Sequence, residues 1–283
     1  MAQNSKIEWT NHTFNPWWGC TRVSPACKNC YAEAWAHRLA LDLWGKTSSR
    51  RFFSEEHWRQ PLKWNEAAKH AGSRPRVFCA SMADVFEARS ELNQWREKLW
   101  RLIGRTPNLD WLLLTKRPDR VAASVPWHVE WPPNVWLGTT AENQRWAERR
   151  IPYLLKSPAR IRFLSCEPLL GDLRLDQWLT PPPAAETGKI DWVIAGGESG
   201  TRARPMNPVW VRSLRDQCER TRTPFHFKQW GHWAPIERSS RRGIETFAFS
   251  ENNGEEEILA KVGKHVSGRV LDGRTWDGLP TSE

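Results

Sequence analysis

Thr13-Phe14-Asn15-Pro16-Trp17-Trp18-Gly19-Cys20-Thr21-Arg22-Val23-Ser24-Pro25-Ala26-Cys27-Lys28-Asn29-Cys30-Tyr31 is the stretch on which the reading of this chain turns. Residues 13–17, which carry Phe14 and Trp17, are a candidate short first strand. The residues after them include Cys20, Cys27 and Cys30 at C-x6-C-x2-C spacing, with Pro25 inside the loop and a helical pattern beyond it. Three thiols on one loop behind one strand can converge on a single centre. Disulfides are disfavoured in a cytosolic chain, so such a cluster points to metal or catalysis. Cys thiolates at these spacings suit a 4Fe–4S cluster, and three of them leave one iron open to a ligand. A structural zinc wants four donors, and His12 would be the fourth, so zinc stays open. Of the six Cys, Cys79 and Cys218 lie in apolar patterns and read as buried small hydrophobes. Cys166, beside Glu167, is left undecided.

Outward from this stretch, short apolar runs recur at residues 76–80, 111–114, 135–137, 161–164, 192–195 and 225–227. Helical patterns lie between them. Residues 31–43 carry Tyr31, Ala34, Trp35 and Leu39 as an apolar stripe. Ser90 can cap a helix with Leu92, Trp95, Leu99 and Ile103 on one face. Asn207-Pro208 is a cap with proline at the first helical position, ahead of Trp210, Leu214 and Cys218. Repeated β-α units imply a parallel sheet. The expected fold is α/β, a partial (β/α) barrel of six or seven parallel strands. Each run ends in polar or small residues, at Ser81 to Asp84, Thr115 to Arg117, Thr139 to Asn143, Ser165 to Glu167, Gly196 to Ser199 and Lys228 to Trp230. Ligands of parallel α/β folds bind at the carboxyl ends of the strands, so these clusters mark the functional face.

Length and composition bound the rest. A chain of 283 residues is long enough for a large buried core, with hydrophobic residues at 39% and charged residues at 26%. No apolar run approaches the ~20 residues of a membrane span. The first ten residues lack the apolar core of a signal peptide, so the expected location is cytoplasmic, with no membrane partner. The formal charge is +10, which favours an anionic partner, nucleic acid first. The expected organisation is a barrel over residues 1–233 and a small appendage or tail over 234–283. A proline-rich loop covers residues 181–188, and an acidic stretch covers 251–257.

The strings themselves are familiar. Ile7-Glu8-Trp9-Thr10, Asn15-Pro16, Gly19-Cys20-Thr21 and Cys27-Lys28-Asn29-Cys30-Tyr31-Ala32-Glu33 resemble an uncharacterised, phage-associated three-cysteine family of radical-SAM-like character. So do LTKRP at 114–118, NVWLG at 134–138, EPLLG at 167–171, GGESG at 196–200, ARPM at 203–206 and FKQWG at 227–231. The wider resemblance is to the radical SAM superfamily. It implies a site-differentiated 4Fe–4S cluster on Cys20, Cys27 and Cys30, and S-adenosylmethionine chelating its open iron. One-electron reduction by an external donor would then give a 5′-deoxyadenosyl radical, the chemistry residing in the cofactor. This sequence departs from the superfamily pattern in having C-x6-C-x2-C in place of C-x3-C-x2-C, and Asn29 in place of an aromatic before the last Cys.

The resemblance and the strand-end positions together suggest roles. Ser81 and Asp84 follow the second strand, where the cofactor's amine end is held. Tyr31, Lys116 and Thr139 join the cofactor-binding group, Lys116 and Lys228 being able to meet a carboxylate or phosphate. Glu142 and Asn143 could hold a ribose, or they open a helix, where Glu is favourable anyway. Gly196 and Gly197 would let backbone approach a ligand. Glu167, Glu198 and Lys228 are the catalytic candidates, as substrate contacts or a proton relay; a structural ion pair is the plain alternative. Trp17, Trp18, Trp230 and Trp233 could stack a nucleobase, whereas Trp95, Trp100, Trp111 and Trp192 read as core. Arg50-Arg51, Arg202 with Arg204, and Arg241-Arg242 are phosphate contacts or solvated charge.

Three function classes result. The first is a radical SAM-like enzyme whose substrate is nucleic acid, a modified or damaged base in a DNA-repair role, with a companion protein as a further partner. The second is a binding barrel with a structural zinc or cluster and no chemistry. The third, a hydrolase using Glu167 and Glu198 with a divalent metal, lacks the Asp/His ligand cluster such a site needs.

Overall fold

The computed structural model describes residues 2–181, 188–236, 243–250 and 256–281, the side chains of the first two excepted. The expected proline-rich loop therefore falls largely outside the described residues, as do Arg241-Arg242 and most of the acidic stretch.

Strand β1 (Ala2–Gln3) pairs antiparallel with β2 (His12–Thr13). A loop then leads to helix α1 (Tyr31–Arg38) and to α2 (Glu55–His70). From there strands and helices alternate. They run β3 (Arg76–Cys79), α3 (Asn93–Gly104), β4 (Asp110–Thr115), β5 (Val135–Thr140), α4 (Gln144–Leu155), β6 (Ile161–Cys166), α5 (Asp176–Leu179), β7 (Trp192–Gly196), α6 (Pro208–Thr221) and β8 (Phe225–Gln229). Among the described residues these strands form one eight-stranded sheet in chain order, β1 to β8, with β2 to β8 parallel. That order and direction are those of a partial (β/α) barrel, as the alternation of apolar runs and helices implies. Strands β5 and β7 are buried at every position, the mark of a sheet covered on both faces. No described helix is long and apolar enough to cross a membrane.

The chain divides into two compact units, Met1–Thr139 with Arg150–Phe163, and Thr140–Arg149 with Leu164–Glu283. The first is built on fully buried aromatic and aliphatic side chains, among them Trp9, Phe14, Trp17, Leu99, Ile103 and Trp111. Each large aromatic removes about 150–250 Å² from water, roughly 4–6 kcal/mol at ~25 cal/mol per Å². In the second unit Asn207 accepts from the Val209 N–H at 2.9 Å, Pro208 opens α6, and Val211, Leu214 and Cys218 face inward. Trp210 lies only half-buried, edge-on to Phe249 at 5.4 Å.

Three local expectations change. The first strand is two residues long, and the chain beyond it is held by single bridges in place of a strand over 13–17. Helix α1 ends at Arg38, and its apolar stripe faces outward: Tyr31, Trp35 and Leu39 are 55%, 48% and 46% exposed. Ala32 and Ala36 face inward with Glu33, which Arg22 holds at 2.7 Å. Small side chains let the helix sit close, which the larger aromatics cannot. Helix α2 is not among the helical patterns expected from the sequence, and it carries Pro61 in its middle, a residue that locally disfavours a helix. Its period is nevertheless helical, with Trp58, Pro61, Trp64, Asn65 and Ala68 buried. Acidic residues in its first turn and Lys69 and His70 in its last complement the helix dipole.

Beyond β8, strands β9 (Trp233–Pro235), β10 (Thr246–Ser250) and β11 (Glu256–Lys261) form an antiparallel sheet in the order β10-β11-β9. It packs on Trp233, Leu259 and Ala203. A one-turn helix, α7 (Lys264–Ser267), comes next. The chain then returns along β8: Phe227 N–H donates to Trp276 at 2.9 Å, and Gly278 N–H to Phe225 at 2.9 Å. This covers the sheet's last edge, which would otherwise offer unpaired backbone groups.

Candidate cysteine-loop site and strand-end residues

In the first unit, Trp18 bridges Arg51, Gly19 bridges Ala83, and Cys20 bridges Trp44, so the arm bearing Cys20 is pinned on both sides. Gly19 has φ +112°, and a Cβ there would lie 2.5 Å from the Leu43 carbonyl oxygen, so only glycine fits this turn. Arg50 locks the arm from beneath. Its guanidinium donates to both Glu87 oxygens, at 3.0 and 2.7 Å, and to Thr21 Oγ1 and the carbonyls of Leu43, Ser48 and Gly45. The second arm is different. Pro25–Cys27 is one turn of 3-10 helix, and Cys30 is the N-cap of α1.

All six cysteines carry free thiols; Cys20, Cys27 and Cys30 are half-buried, while Cys79, Cys166 and Cys218 are fully buried. Burial pushes the Cys20 thiol up to about 12; Asp84 and Glu87 add to this, and Arg117 opposes it. Burial likewise raises Cys30, against the pull of the Glu33 and Ala32 N–H groups and of Lys116. Those N–H groups belong to the first turn of α1, whose dipole favours negative charge. Among the described residues no group of three His, Cys, Asp or Glu has the spacing to hold a single metal ion. His12, the fourth donor a zinc site would need, is stacked on Trp64 at 4.4 Å and accepts from Asn4 N–H through Nδ1. In donor chemistry the loop suits a larger thiolate-bound cluster: three free sulfurs, no carboxylate or imidazole among them, a helix N-terminus at one and an arginine at another.

The strand ends of the first unit form a connected polar network. Asn15 donates to Ser81 Oγ at 3.0 Å and accepts from Met82 N–H at 2.7 Å. The Tyr31 hydroxyl donates to the Ser81 carbonyl at 2.7 Å. Asp84 is buried and fully engaged. It accepts from Thr115 Oγ1 at 2.8 Å, Lys116 N–H at 3.1 Å, Phe86 N–H at 3.0 Å and Arg117 Nη1 at 2.8 Å. Burial alone would raise its carboxyl, but Arg117 and these donors outweigh that and hold it below the usual range. Thr139 spends its hydroxyl on the Thr115 carbonyl at 2.9 Å. Arg117, which the sequence reading did not single out, places Nη1 3.8 Å from Cys20 Sγ. Its signal was present in the LTKRP string, but nothing local tells which neighbour an arginine will reach.

In the second unit the catalytic candidates resolve into ion pairs. Glu167 meets Lys228 at 2.8 Å and accepts from Ser165 Oγ at 3.4 Å. Glu198 is clamped by Arg204, which donates from its backbone N–H at 2.8 Å, Nε at 2.9 Å and Nη2 at 2.5 Å. Glu142 is fully buried. Asn143 caps α4, taking N–H groups of Trp146 and Ala147 on its carbonyl and Trp146 again on Oδ1. Gly196 and Gly197 serve close approach between backbones. A Cβ on Gly197 would lie 1.9 Å from the Trp230 carbonyl oxygen, and one on Gly196 3.1 Å from Glu167 Oε1.

The tryptophans divide. Trp17, Trp230 and Trp233 are buried, the last two donating to the Val270 and Ala203 carbonyls at 2.8 and 2.7 Å. None of these three is a stacking face. Trp18 stays half-buried, with the Arg51 guanidinium 5.1 Å from its ring. Trp100, Trp111 and Trp192 are core, while Trp95 is half-buried and stacked on Phe52 at 4.5 Å.

A family profile described as a protein of unknown function, DUF5131, matches residues 4–280. No curated protein matches the chain. Two solved structures are similar. One is a spore photoproduct lyase mutant with bound AdoMet and dinucleoside spore photoproduct, at 11% identity over 89% of this chain and 69% of that one, TM-score 0.43. The other is spore photoproduct lyase complexed with dinucleoside spore photoproduct, at 11% identity over 91% and 70%, TM-score 0.45.

Proposed function

Because the chain belongs to DUF5131, a family of unknown function, we propose its activity from its own residues: a radical SAM-like enzyme that binds a 4Fe–4S cluster through Cys20, Cys27 and Cys30. The observation that carries this is three free thiols on one loop behind the first parallel strand, bordered by a helix N-terminus and a buried guanidinium. The chemistry such a cluster and S-adenosylmethionine supply when bound is hydrogen-atom abstraction by a 5′-deoxyadenosyl radical, after reduction by an external electron donor. The chain's own residues bind and shield. The first-turn N–H groups of α1 and Lys116 stabilise negative charge at Cys30. Tyr31, Ser81 and Thr139 line the strand ends; Asp84 acts through Arg117, since its oxygens are already taken. In the second unit, Glu142, Asn143, Gly196 and Gly197 supply a rigid strand-end frame. Glu167 with Lys228 is the pair able to hold and move a proton, and Glu198 is fixed by Arg204. Residues 1–233 carry the chemistry, and 234–283 form the appendage.

The substrate class is nucleic acid, a modified or damaged base. The +10 charge supports it, as does Trp18, a partly exposed ring with Arg51 over it two residues from Cys20.

Anaerobic reconstitution should give a brown protein with about four irons per chain that cleaves S-adenosylmethionine under dithionite. C27A and C30A should lose both iron and cleavage. A colourless, iron-free product sinks the reading. For the substrate, binding to a single-stranded oligonucleotide should weaken steeply with salt and fall in W18A; salt-independent binding would point to a small molecule.

A further inference from the structure

Arg117 stands just past β4 with its side chain buried, 9% exposed. Its fork is spent in three directions: Nη1 to Asp84 Oδ2 at 2.8 Å, Nη1 also towards Cys20 Sγ at 3.8 Å, and Nη2 to the Thr21 carbonyl at 2.7 Å. Asp84 cannot turn away, because Thr115 Oγ1 and the N–H groups of Lys116 and Phe86 hold its other lone pairs. A buried cation is thus fixed by a buried anion, with one N–H aimed at a thiol sulfur. The guanidinium is not consumed by the carboxylate alone.

We propose that Arg117, held in place by Asp84, is a positioning residue that sets how readily a cluster on Cys20 accepts its electron. This rests on the cluster reading above. Hydrogen bonds and charge at cluster sulfurs are principal determinants of cluster potential. Reduction adds one negative charge to the cluster. A fixed cation and N–H donor beside a ligand sulfur favours the reduced form; a buried carboxylate near that sulfur disfavours it. The two residues therefore have opposite signs. If Arg117 merely anchored the loop through Thr21, removing either partner would loosen the same loop and the signs would agree.

The test is a redox titration followed by EPR on anaerobically reconstituted wild type, R117Q, R117K and D84N, with iron counted per chain. R117Q should accept the electron about tenfold less readily, a midpoint about 59 mV lower for one electron. R117K keeps the charge and should shift less. D84N should shift upward. Iron-loaded R117Q with the wild-type midpoint overturns the proposal and leaves the cluster reading standing. So does a shift of the same sign in R117Q and D84N, or loss of iron from all three variants while wild type keeps it. An iron-free wild type would overturn both.

Discussion

Replacing Arg50 by methionine tests what holds the cysteine loop in place. The Arg50–Glu87 pair is nearly sealed, with side chains 1% and 3% exposed and the closest approach 2.7 Å. R50M leaves the Glu87 carboxylate without its partner in the interior and takes from the Leu43 carbonyl its donor, while the Ser48 carbonyl keeps Arg89 Nη1 and the Gly45 carbonyl keeps Thr21 Oγ1. Breaking a buried pair by removing one partner costs about 3–5 kcal/mol. Replacing both partners by apolar groups removes the stranded charge. R50M/E87L should therefore cost only the orphaned Leu43 carbonyl, about 1–3 kcal/mol. The double variant should be more stable than R50M alone, an inversion that additive contacts cannot produce. Urea unfolding followed by tryptophan emission gives the free energies. Alkylation of Cys20 by iodoacetamide gives the local effect, because Gly45 N–H bonds the Cys20 carbonyl at 3.0 Å and loses its support with Arg50. Cys20 should react faster in R50M. A cost under about 1 kcal/mol, or a double variant no better than R50M, would refute the clamp.

Other outcomes rest on the same geometry. Burial lowers His12 and His57 from 6.5, His57 more than its bond to the Asn15 carbonyl raises it. The folded state then binds fewer protons than the unfolded state below that value, so stability is intact above pH 6.5 and falls as pH drops towards the folded pKa values. Urea midpoints at about pH 7.5 and about pH 5.5 should show the decline, and H57F, which keeps the aromatic packing with Phe53 and Phe14, should lessen it; an unchanged slope in H57F would remove His57 from the account. G197A should destabilise by about 1–3 kcal/mol or more, because a carbonyl oxygen stands 1.9 Å from the new Cβ. G104A, at the end of α3 with nothing within 4 Å, should stabilise by about 0.5–1 kcal/mol. Thermal melts should therefore move in opposite directions, and a G197A melt that does not fall or a G104A melt that does not rise refutes the corresponding prediction.

The sequence by itself determined the parallel α/β fold, the strand positions to within a few residues, the cysteine loop and the cap of α6. Each is a local property: a run of apolar residues, a spacing, a hydroxyl or amide ahead of a helix. Burial of Cys79 and Cys218 was equally legible, because both sit inside apolar patterns. Helix α2 was not foreseen; it carries Pro61 inside it, whose local penalty is offset by Trp58, Trp64 and Ala68 packing into the first unit. Which face of α1 turns inward, and which tryptophan keeps an accessible ring, depend on what lies across from them in space. The polar groups show this most clearly. Glu167, Glu198 and Asp84 are three carboxylates at equivalent strand-end positions in the sequence. Only the tertiary structure gave the first to Lys228, the second to Arg204 and the third to Arg117, because a buried charge takes the nearest opposite charge, however far along the chain it lies.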